Sequence, residues 1–281
     1  MGLATGNSPT GMYKYLAKAA NTGEFDSSKI RSYNLDEYIG LPGENAQQRL
    51  MHHESYCYFM IQKFFGLLKH KFIETSLPYG ALIDQKRLVK ELETHTGDWK
   101  KIGVNAGKSI VIKSNASSEY LAWIRSEVLM GYARKIRKAG GIDIQIIGVG
   151  GRGHVGFHES GIPFSGSRVM LVELDDNTVT NAIADGHFQS KQECPQYAVS
   201  MGAELVYEAM TVVLLANGER KVEPVAESLL GDPTHDIPIS YGQIYAKKGG
   251  DLIYVLDKVA ASGLLSNKAV LKKKGVKIEV V

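Results

Sequence analysis

The sequence predicts an α/β protein in which helices cover both faces of a mostly parallel central sheet, giving three layers, α/β/α. Short apolar runs rich in β-branched residues alternate with longer stretches that have the spacing of amphipathic helices. Strands that alternate with helices in this way are typical of Rossmann-like folds. Ligands of such sheets bind beyond the carboxyl ends of the strands, so functional residues are expected in the loops that leave the strands.

Five apolar runs are predicted to be buried strands: residues 109–112, 142–147, 169–174, 212–215 and 252–256. The clearest helix is predicted over residues 118–139, where large apolar side chains recur at three- and four-residue spacing. Ser117 or Ser118 can cap its start, and Gly140 and Gly141 end it.

Residues 1–281 are interpreted as one domain, which is common for α/β folds of this length. Two segments, residues 43–53 and 94–107, have little periodicity and are interpreted as insertions or mobile loops, either of which could form a lid. A glycine-rich turn begins at Gly2, although such a turn normally follows a buried strand, so the first strand is apparently missing. Either the sequence is truncated or another segment fills the gap, and residues 276–281, which have strand character, are one candidate.

The charge balance and the cysteines restrict the class of protein. The 33 basic and 30 acidic residues give a net charge of +3, which gives no reason to expect nucleic acid. The basic run 272–274 is interpreted as a solvated helix end. No apolar stretch reaches the ~18 residues of a membrane span, and the N-terminus does not have the pattern of a signal peptide, so a cytoplasmic location without a membrane partner is expected. Cys57 and Cys194 are far apart and in no metal-ligand pattern, which argues against a disulfide framework.

The first motif is the segment Thr5-Gly6-Asn7-Ser8-Pro9, which leads into a predicted helix. The unpaired amides and the dipole of a helix N-terminus form an anion site, and Ser8 offers a hydroxyl. No Lys follows at the spacing of a nucleotide-binding P-loop. A plain helix start is the alternative interpretation.

The second motif is the pair of adjacent carboxylates Asp36 and Glu37 after an apolar segment. In an extended backbone the two side chains point to opposite sides, so one can face a cleft while the other is held elsewhere. A carboxylate that is partly removed from water becomes more basic and can take a proton from carbon beside a carbonyl. A polar turn after a strand is the alternative.

The third motif, residues 148–154, follows a predicted strand and matches G-x-G-x-x-G. The residues after it are too rich in glycine and proline for the helix that a dinucleotide site requires, so a dinucleotide is discounted. A zinc site from His154, His158 and Glu159 is also discounted, because the order is not H-E-x-x-H and the segment is not helical. The remaining interpretation is an acid/base pair, His154 with Glu159, in which the carboxylate would raise the pKa of the imidazole. A weaker signal is Lys221, which follows an apolar run and could reach a phosphate.

Taken together, these segments resemble the glucosamine-6-phosphate deaminase/isomerase family. Residues 3–9, Leu-Ala-Thr-Gly-Asn-Ser-Pro, resemble the family's phosphate loop. Residues 34–41, Asn-Leu-Asp-Glu-Tyr-Ile-Gly-Leu, match the signature around its catalytic base almost letter for letter. Further segments are similar to family elements in the same order along the chain: residues 53–56, 141–150 and 195–202.

The resemblance implies a reaction on a hexosamine 6-phosphate without a metal or an organic cofactor. In the family the sugar ring opens, a proton moves between C2 and C1 through an enol-like intermediate, and ammonia leaves from C2. By position, Asp36 would be the base, and His154 with its partner Glu159 would assist ring opening. The residues expected to bind the phosphate or other substrate groups are Thr5, Gly6, Asn7, Ser8, Lys221 and Arg152.

The chain also departs from the family pattern. The family usually has an Asp two residues before its histidine, where this chain has Arg152. A cation there would disfavour the imidazolium, or it could bind a carboxylate or phosphate of the substrate. The family's phosphate-binding Arg has no clear counterpart near residues 181–188. Met170 and Val172 stand where allosterically controlled members carry basic residues, so that regulation is expected to be absent.

Three functions remain open from the sequence. The first is an aldose–ketose isomerase or deaminase of an amino-sugar phosphate. The related 6-phosphogluconolactonases share the Gly-His element, but their D-E-R type motif is absent because Tyr38 follows Glu37. A non-catalytic sugar-phosphate sensor is the third function, and Arg152 is its main support. The expected ligand is a small sugar phosphate, and a homo-oligomer is an option because family members often form one.

Overall fold

The computed structural model describes residues 1–104, 107–184 and 186–280. The strands are β1 (Gly2–Leu3), β2 (Arg31–Asn34), β3 (Asp36–Ile39), β4 (Glu74–Ser76), β5 (Trp99–Ile102), β6 (Lys108–Ile112), β7 (Ile144–Ile147), β8 (Val169–Glu173), β9 (Tyr197–Met201), β10 (Thr211–Ala216) and β11 (Asp251–Leu256). The α-helices are α1 (Thr10–Asn21), α2 (Ala46–Leu50), α3 (Tyr56–Lys63), α4 (Gln85–Thr94), α5 (Glu119–Trp123), α6 (Met130–Lys138), α7 (Asp176–Ala184), α8 (Ala203–Val206), α9 (Val222–Leu230), α10 (Gly242–Lys247), α11 (Ser262–Leu265) and α12 (Lys268–Lys273).

The central sheet has six parallel strands in the order β11-β10-β7-β1-β2-β4. Successive residues of a strand face opposite sides, and β7 shows both layers. Ile146 packs with Leu3 and Tyr13 on one face, whereas Ile147 packs with Tyr132 on the other. The predicted three-layer α/β fold with a mostly parallel sheet is therefore confirmed.

A second sheet is antiparallel, in the order β3-β9-β8-β6-β5. The five apolar runs predicted as strands all contain strands, but β6 and β8 belong to this second sheet. A short apolar run shows that a strand is buried and does not show its partner or direction, so the sequence could not separate the two sheets.

The two sheets join at Leu35, the single residue between β2 and β3. Its amide donates to Leu3 O at 3.0 Å in the parallel sheet, and its carbonyl accepts from Met201 N at 2.7 Å beside β9. Asp36, the next residue, therefore lies where the parallel sheet ends and the antiparallel sheet begins.

The structure corrects the prediction for the first strand. Residues Gly2–Leu3 themselves form β1 between β2 and β7. Residues 276–280 form no strand, so the prediction that the C-terminal run fills this position is wrong, and residue 281 lies outside the described residues. The assignment of the whole chain to one domain stays a prediction.

The helix predicted over residues 118–139 is present as α5 and α6 joined by a π-helical turn, Ile124–Leu129. Ser118 caps its start, since its Oγ accepts from Leu121 N at 3.1 Å. Of the two predicted insertions, residues 43–53 contain α2, and residues 94–107 contain β5, while residues 105–106 lie outside the described part. No helix in the described ranges is long and apolar enough to cross a membrane.

Candidate active site

Three loops meet at the carboxyl edge of the parallel sheet. They follow β1 (residues 4–9), β7 (residues 148–154) and β10 (residues 217–221). β1 and β7 are neighbours, yet within the parallel sheet β1 is followed by β2 on one side, and β7, after β8 and β9 of the second sheet, by β10 on the other. Such a switch in strand order opens the crevice where open α/β sheets bind ligands.

Asp36 lies at this edge and is 5% exposed. Its Oδ1 atom is buried and has no hydrogen-bond partner among the described residues. Burial, and next the charge of Glu37, raise the pKa of Asp36 to about 8, while the His154 charge acts in the opposite direction. A buried, unpaired carboxylate oxygen is unfavourable for folding, which marks Asp36 as a functional candidate.

Glu37 is buried on the other side of β3, as the extended backbone predicts. Its carboxylate accepts from Ser55 Oγ at 2.8 Å, from Cys57 N at 3.0 Å and from Tyr56 N at 3.2 Å, at the first turn of α3. A fourth bond comes from its neighbour Tyr38 N at 2.9 Å. Burial raises the pKa of Glu37, and these hydrogen bonds oppose the rise. Glu37 therefore fixes the start of α3, where an anion is favoured.

His154 and Glu159 form the predicted pair, with 3.1 Å between Nδ1 and Oε2. Thr178 Oγ1 at the start of α7 donates to the other oxygen, Glu159 Oε1, at 2.6 Å. Burial would lower the pKa of His154, but the charge and hydrogen bond of Glu159 raise it overall. Burial would raise the pKa of Glu159, but His154 and Thr178 lower it. The arrangement holds an imidazole that binds a proton readily and has Nδ1 directed to Glu159.

The turn that carries His154 depends on a glycine. A Cβ atom at Gly150 would lie 2.0 Å from His154 Nε2, so no larger residue leaves room for the imidazole. Gly150 N also donates to His154 O at 3.2 Å, which closes the turn. The G-x-G-x-x-G match in the sequence thus corresponds to a turn built around the imidazole.

His158 has a structural environment. It is fully buried, Nδ1 accepts from Ala203 N at 2.9 Å, and Nε2 lies 2.9 Å from Ile162 O. Burial lowers its pKa to about 4, so the ring is neutral with both nitrogens in use. Across residues 1–104, 107–184 and 186–280, no group of three or more His, Cys, Asp or Glu side chains is placed to hold a metal ion.

The loop after β1 brings the predicted anion-binding residues to the same edge. β1 and β2 pair Leu3 with Asn34, and the chain runs two residues further in each case, to Thr5 and Asp36. Thr5 Oγ1 is buried without a hydrogen-bond partner in the described part of the chain. Gly6 has φ of +136°, which favours glycine. Asn7 and Ser8 come just before Pro9, the N-cap residue of α1. Pro9 makes no side-chain hydrogen bond to the first turn of the helix.

Lys221 and Arg152 approach the site with partners of their own. Lys221 Nζ donates to Val149 O at 2.6 Å in the loop after β7, and its charge lowers the pKa of His154. Arg152 is half exposed, and its Nη1 lies 3.6 Å from Oδ2 of the buried Asp175. The cation that opposes the imidazolium is thus Lys221, whereas Arg152 is directed to Asp175.

Two further residues, Thr178 and Asn217, contact the predicted site residues. Asn217 Oδ1 accepts from Ser8 Oγ at 2.8 Å, so it joins the loops after β1 and β10. Asn217 lies two residues after a predicted strand, and this position could have indicated it from the sequence. Thr178 had no such signal, because its contact with Glu159 spans 19 residues and depends on the fold.

No family model matches the chain. The chain is 33% identical over 264 residues to a glucosamine-6-phosphate deaminase of Clostridium botulinum (strain Loch Maree / Type A3), covering 94% of this chain and 86% of the relative. It is 34% identical over 265 residues to a glucosamine-6-phosphate deaminase of Clostridioides difficile (strain 630), covering 94% and 84%.

Two solved structures resemble the chain in fold. A monomeric glucosamine-6-phosphate deaminase superposes with a TM-score of 0.68 at 26% identity, covering 93% of this chain and 86% of that chain. A 6-phosphogluconolactonase from Thermotoga maritima gives a TM-score of 0.53 at 16% identity, covering 91% and 84%, which shows a shared fold alone. On the strength of the sequence identity across nearly its whole length, this chain belongs to the glucosamine-6-phosphate deaminase family.

Proposed function

We propose that the chain is a deaminase and aldose–ketose isomerase that converts glucosamine 6-phosphate, or a close analogue, and water to fructose 6-phosphate and ammonia. The observation that supports this best is Oδ1 of Asp36, which is buried without a hydrogen-bond partner among the described residues. It lies at the edge of the sheet where the loop of Thr5 and Ser8 follows β1, and the charge of His154 influences its pKa. The family membership supports the same reaction class.

In the proposed mechanism, His154 transfers a proton to the ring oxygen as the bond between that oxygen and C1 breaks. The neutral imidazole then takes the proton of the C1 hydroxyl, which becomes the aldehyde. Its Nδ1 faces Glu159, so Nε2 is the nitrogen that would exchange the proton. The raised pKa of His154 favours the protonated form that this step uses.

Asp36 would then take the proton from C2 of the open sugar, which gives an enol-like intermediate, and return it at C1, which leaves an imine at C2. Water would add to this imine, and ammonia would leave as the C2 ketone forms. The carboxylate form is the base, and its pKa of about 8 makes it strong for a carboxylate. Its burial also keeps water from solvating the base.

The phosphate would bind at the loop of Thr5, Gly6, Asn7 and Ser8, where the N-terminus of α1 favours an anion. Lys221 would supply a cation from the loop after β10, and Arg152 would contact another charged or polar substrate group. Holding a phosphate far from C2 fixes the sugar for proton transfer. We also propose that the protein is cytoplasmic and that it forms a homo-oligomer.

The test is a panel of sugar 6-phosphates assayed for ammonia and ketose. We expect ammonia from glucosamine 6-phosphate with the unaltered chain, and release at least about 100-fold slower with Asp36→Asn. Acid formation from 6-phosphogluconolactone without ammonia would support the hydrolase instead. Saturable binding of a phosphosugar with no turnover of any hexosamine phosphate would support the sensor.

A further inference from the structure

A groove of about 670 Å³ lies at the amino edge of the parallel sheet, opposite the candidate active site. Arg31, the first residue of β2, and Glu74, the first residue of β4, lie on one wall. The facing wall is α6 with the π-helical turn that precedes it. Its volume falls in the range of small-molecule sites.

The groove has an excess of positive charge. Its lining contains four cations, Arg31, Arg134, Lys135 and Lys138, and two carboxylates, Glu74 and Glu127. The charged lining residues together therefore carry a charge of +2. A ligand with two negative charges would therefore neutralise this groove.

Two of the cations are already oriented. Glu74 Oε1 lies 2.6 Å from Lys135 Nζ, and its other oxygen, Oε2, lies 3.5 Å from Arg31 Nε, so one carboxylate holds both side chains at the rim. Lys138, one turn further along α6, is exposed and has no ion pair or hydrogen bond from its side chain to another described residue. Lys138 is therefore available to an incoming anion.

The π-helical turn Ile124–Leu129 positions the third cation. Arg134 Nη2 donates to Ser126 O at 2.9 Å and lies 3.5 Å from Glu127 Oε2, and both partners belong to that turn. Turns of this kind occur frequently at functional sites. Behind the groove, Tyr132 fastens α6 to the sheet, since its hydroxyl donates to Asn34 O at 2.8 Å and lies 3.2 Å from Ser76 O. The helical wall of the groove is therefore held by Arg134 through the π-helical turn and by Tyr132 through the sheet.

We propose that this groove is a second binding site, for a phosphate monoester, separate from the candidate active site. A phosphate monoester carries a charge of about −1.5 to −2 at neutral pH, which matches the groove. Arg134 binds two of its oxygens, and Lys138 and Lys135 bind as point charges. The site is also distinct from the positions of Met170 and Val172, which are buried in β8.

The experiment is a titration of the isotope-labelled full chain with inorganic phosphate, followed by amide resonances in NMR. We expect shifts at Gly131 and Ala139 in the groove, resolved from any shifts at Gly6 and Ser8. In Arg134→Gln/Lys138→Gln the affinity read from the groove resonances should fall at least about tenfold, because two charge-assisted hydrogen bonds are lost. Lys138→Gln alone tests the same site without disturbing the π-helical turn.

Two controls separate a site from diffuse attraction. Lys272→Gln/Lys273→Gln removes the same charge from the exposed end of α12 and should leave the groove affinity unchanged. Gly131→Leu keeps the charge and places an apolar side chain in the groove; its Cβ atom would lie 3.7 Å from the nearest neighbour, which is ordinary van der Waals contact. This variant should also abolish the groove shifts.

Equal weakening in the Lys272/Lys273 control, or unchanged groove shifts in Arg134→Gln/Lys138→Gln, would overturn the proposal. Shifts confined to Gly6 and Ser8 would overturn it too, while leaving the proposed function intact. Shifts confined to the groove would support the second site and count against the phosphate loop of the proposed function.

Discussion

The two sides of β3 carry neighbouring carboxylates in opposite surroundings. On the cleft side, Asp36 has a buried oxygen without a hydrogen-bond partner among the described residues. On the helix side, Glu37 accepts four hydrogen bonds, from Tyr38, Ser55, Tyr56 and Cys57. Both groups are removed from water, so burial alone does not distinguish them. The hydrogen bonds do: a satisfied carboxylate stabilises the fold, whereas an unsatisfied one is available for chemistry.

The largest expected effect is on turnover. Asp36→Asn should lower kcat for glucosamine 6-phosphate by about 10²- to 10⁴-fold, the range for removing a general base. The measurement is ammonia release by protein that retains the wild-type circular dichroism spectrum. A folded Asp36→Asn protein with more than a tenth of the wild-type kcat would show that this carboxylate is not the base.

The same substitution should change how stability depends on pH. The pKa of Asp36 is about 8 in the folded chain and near 3.8 when unfolded, so between these values the folded state keeps a proton that the unfolded state has released. The free energy of unfolding of the wild type should therefore fall as pH rises through this window, by about 1.4 kcal/mol per unit at most from this group. Asp36→Asn has no such contribution, so urea unfolding at pH 5 and pH 8.5 should show a steeper loss in the wild type. Parallel losses in the two proteins would contradict the raised pKa.

Glu159→Gln should have a smaller effect on the rate than Asp36→Asn. Glu159→Gln removes the charge that raises the pKa of His154, so the fall in kcat/KM at high pH should move to lower pH. The rate at the optimum should drop by roughly tenfold to a hundredfold, since the imidazole itself remains. Thr178→Val, which removes a single hydrogen bond to Glu159, is the milder comparison. An unchanged alkaline limb in Glu159→Gln would exclude His154 as the proton donor.

On the helix side of β3, Glu37→Gln should mainly reduce stability. An amide at this position cannot accept from all four donors, so we expect a loss of about 1–3 kcal/mol in the free energy of unfolding. The charge of Glu37 also raises the pKa of Asp36, so the rise of kcat/KM with pH should shift to lower pH in this variant. Loss of kcat as deep as in Asp36→Asn, with normal stability, would remove the distinction between the two sides.

The smallest effect is expected at Arg152, whose side chain is half exposed and lies 3.6 Å from the buried carboxylate of Asp175. Arg152→Gln should change the free energy of unfolding by at most about 1 kcal/mol. If the guanidinium contacts a substrate group, KM should rise severalfold while kcat stays unchanged, measured beside Arg137→Gln on the exposed side of α6 as a control. A fall in kcat with no change in KM would instead tie Arg152 to the proton transfers.

Much of this arrangement follows from local sequence. The positions of β6, β7, β8, β10 and β11 came from apolar runs. The opposite directions of Asp36 and Glu37 came from the two-residue period of a strand, and the His154–Glu159 pair from its place after a strand. The local sequence did not predict that β6 and β8 belong to a second sheet, because pairing partners are set by the whole fold. The pairing of Arg152 with Asp175 and the support of Glu159 by Thr178 likewise depend on contacts between distant segments.

Leu35 alone connects the two sheets, so the number of residues between Asn34 and Asp36 cannot change without moving Asp36. Adding or deleting a residue between Asn34 and Asp36 would rotate every following side chain of β3 to the opposite face. Glu37 would then enter the cleft, and the start of α3 would lose its anchor. A change of length at Leu35 would therefore exchange the roles of two carboxylates and end the activity.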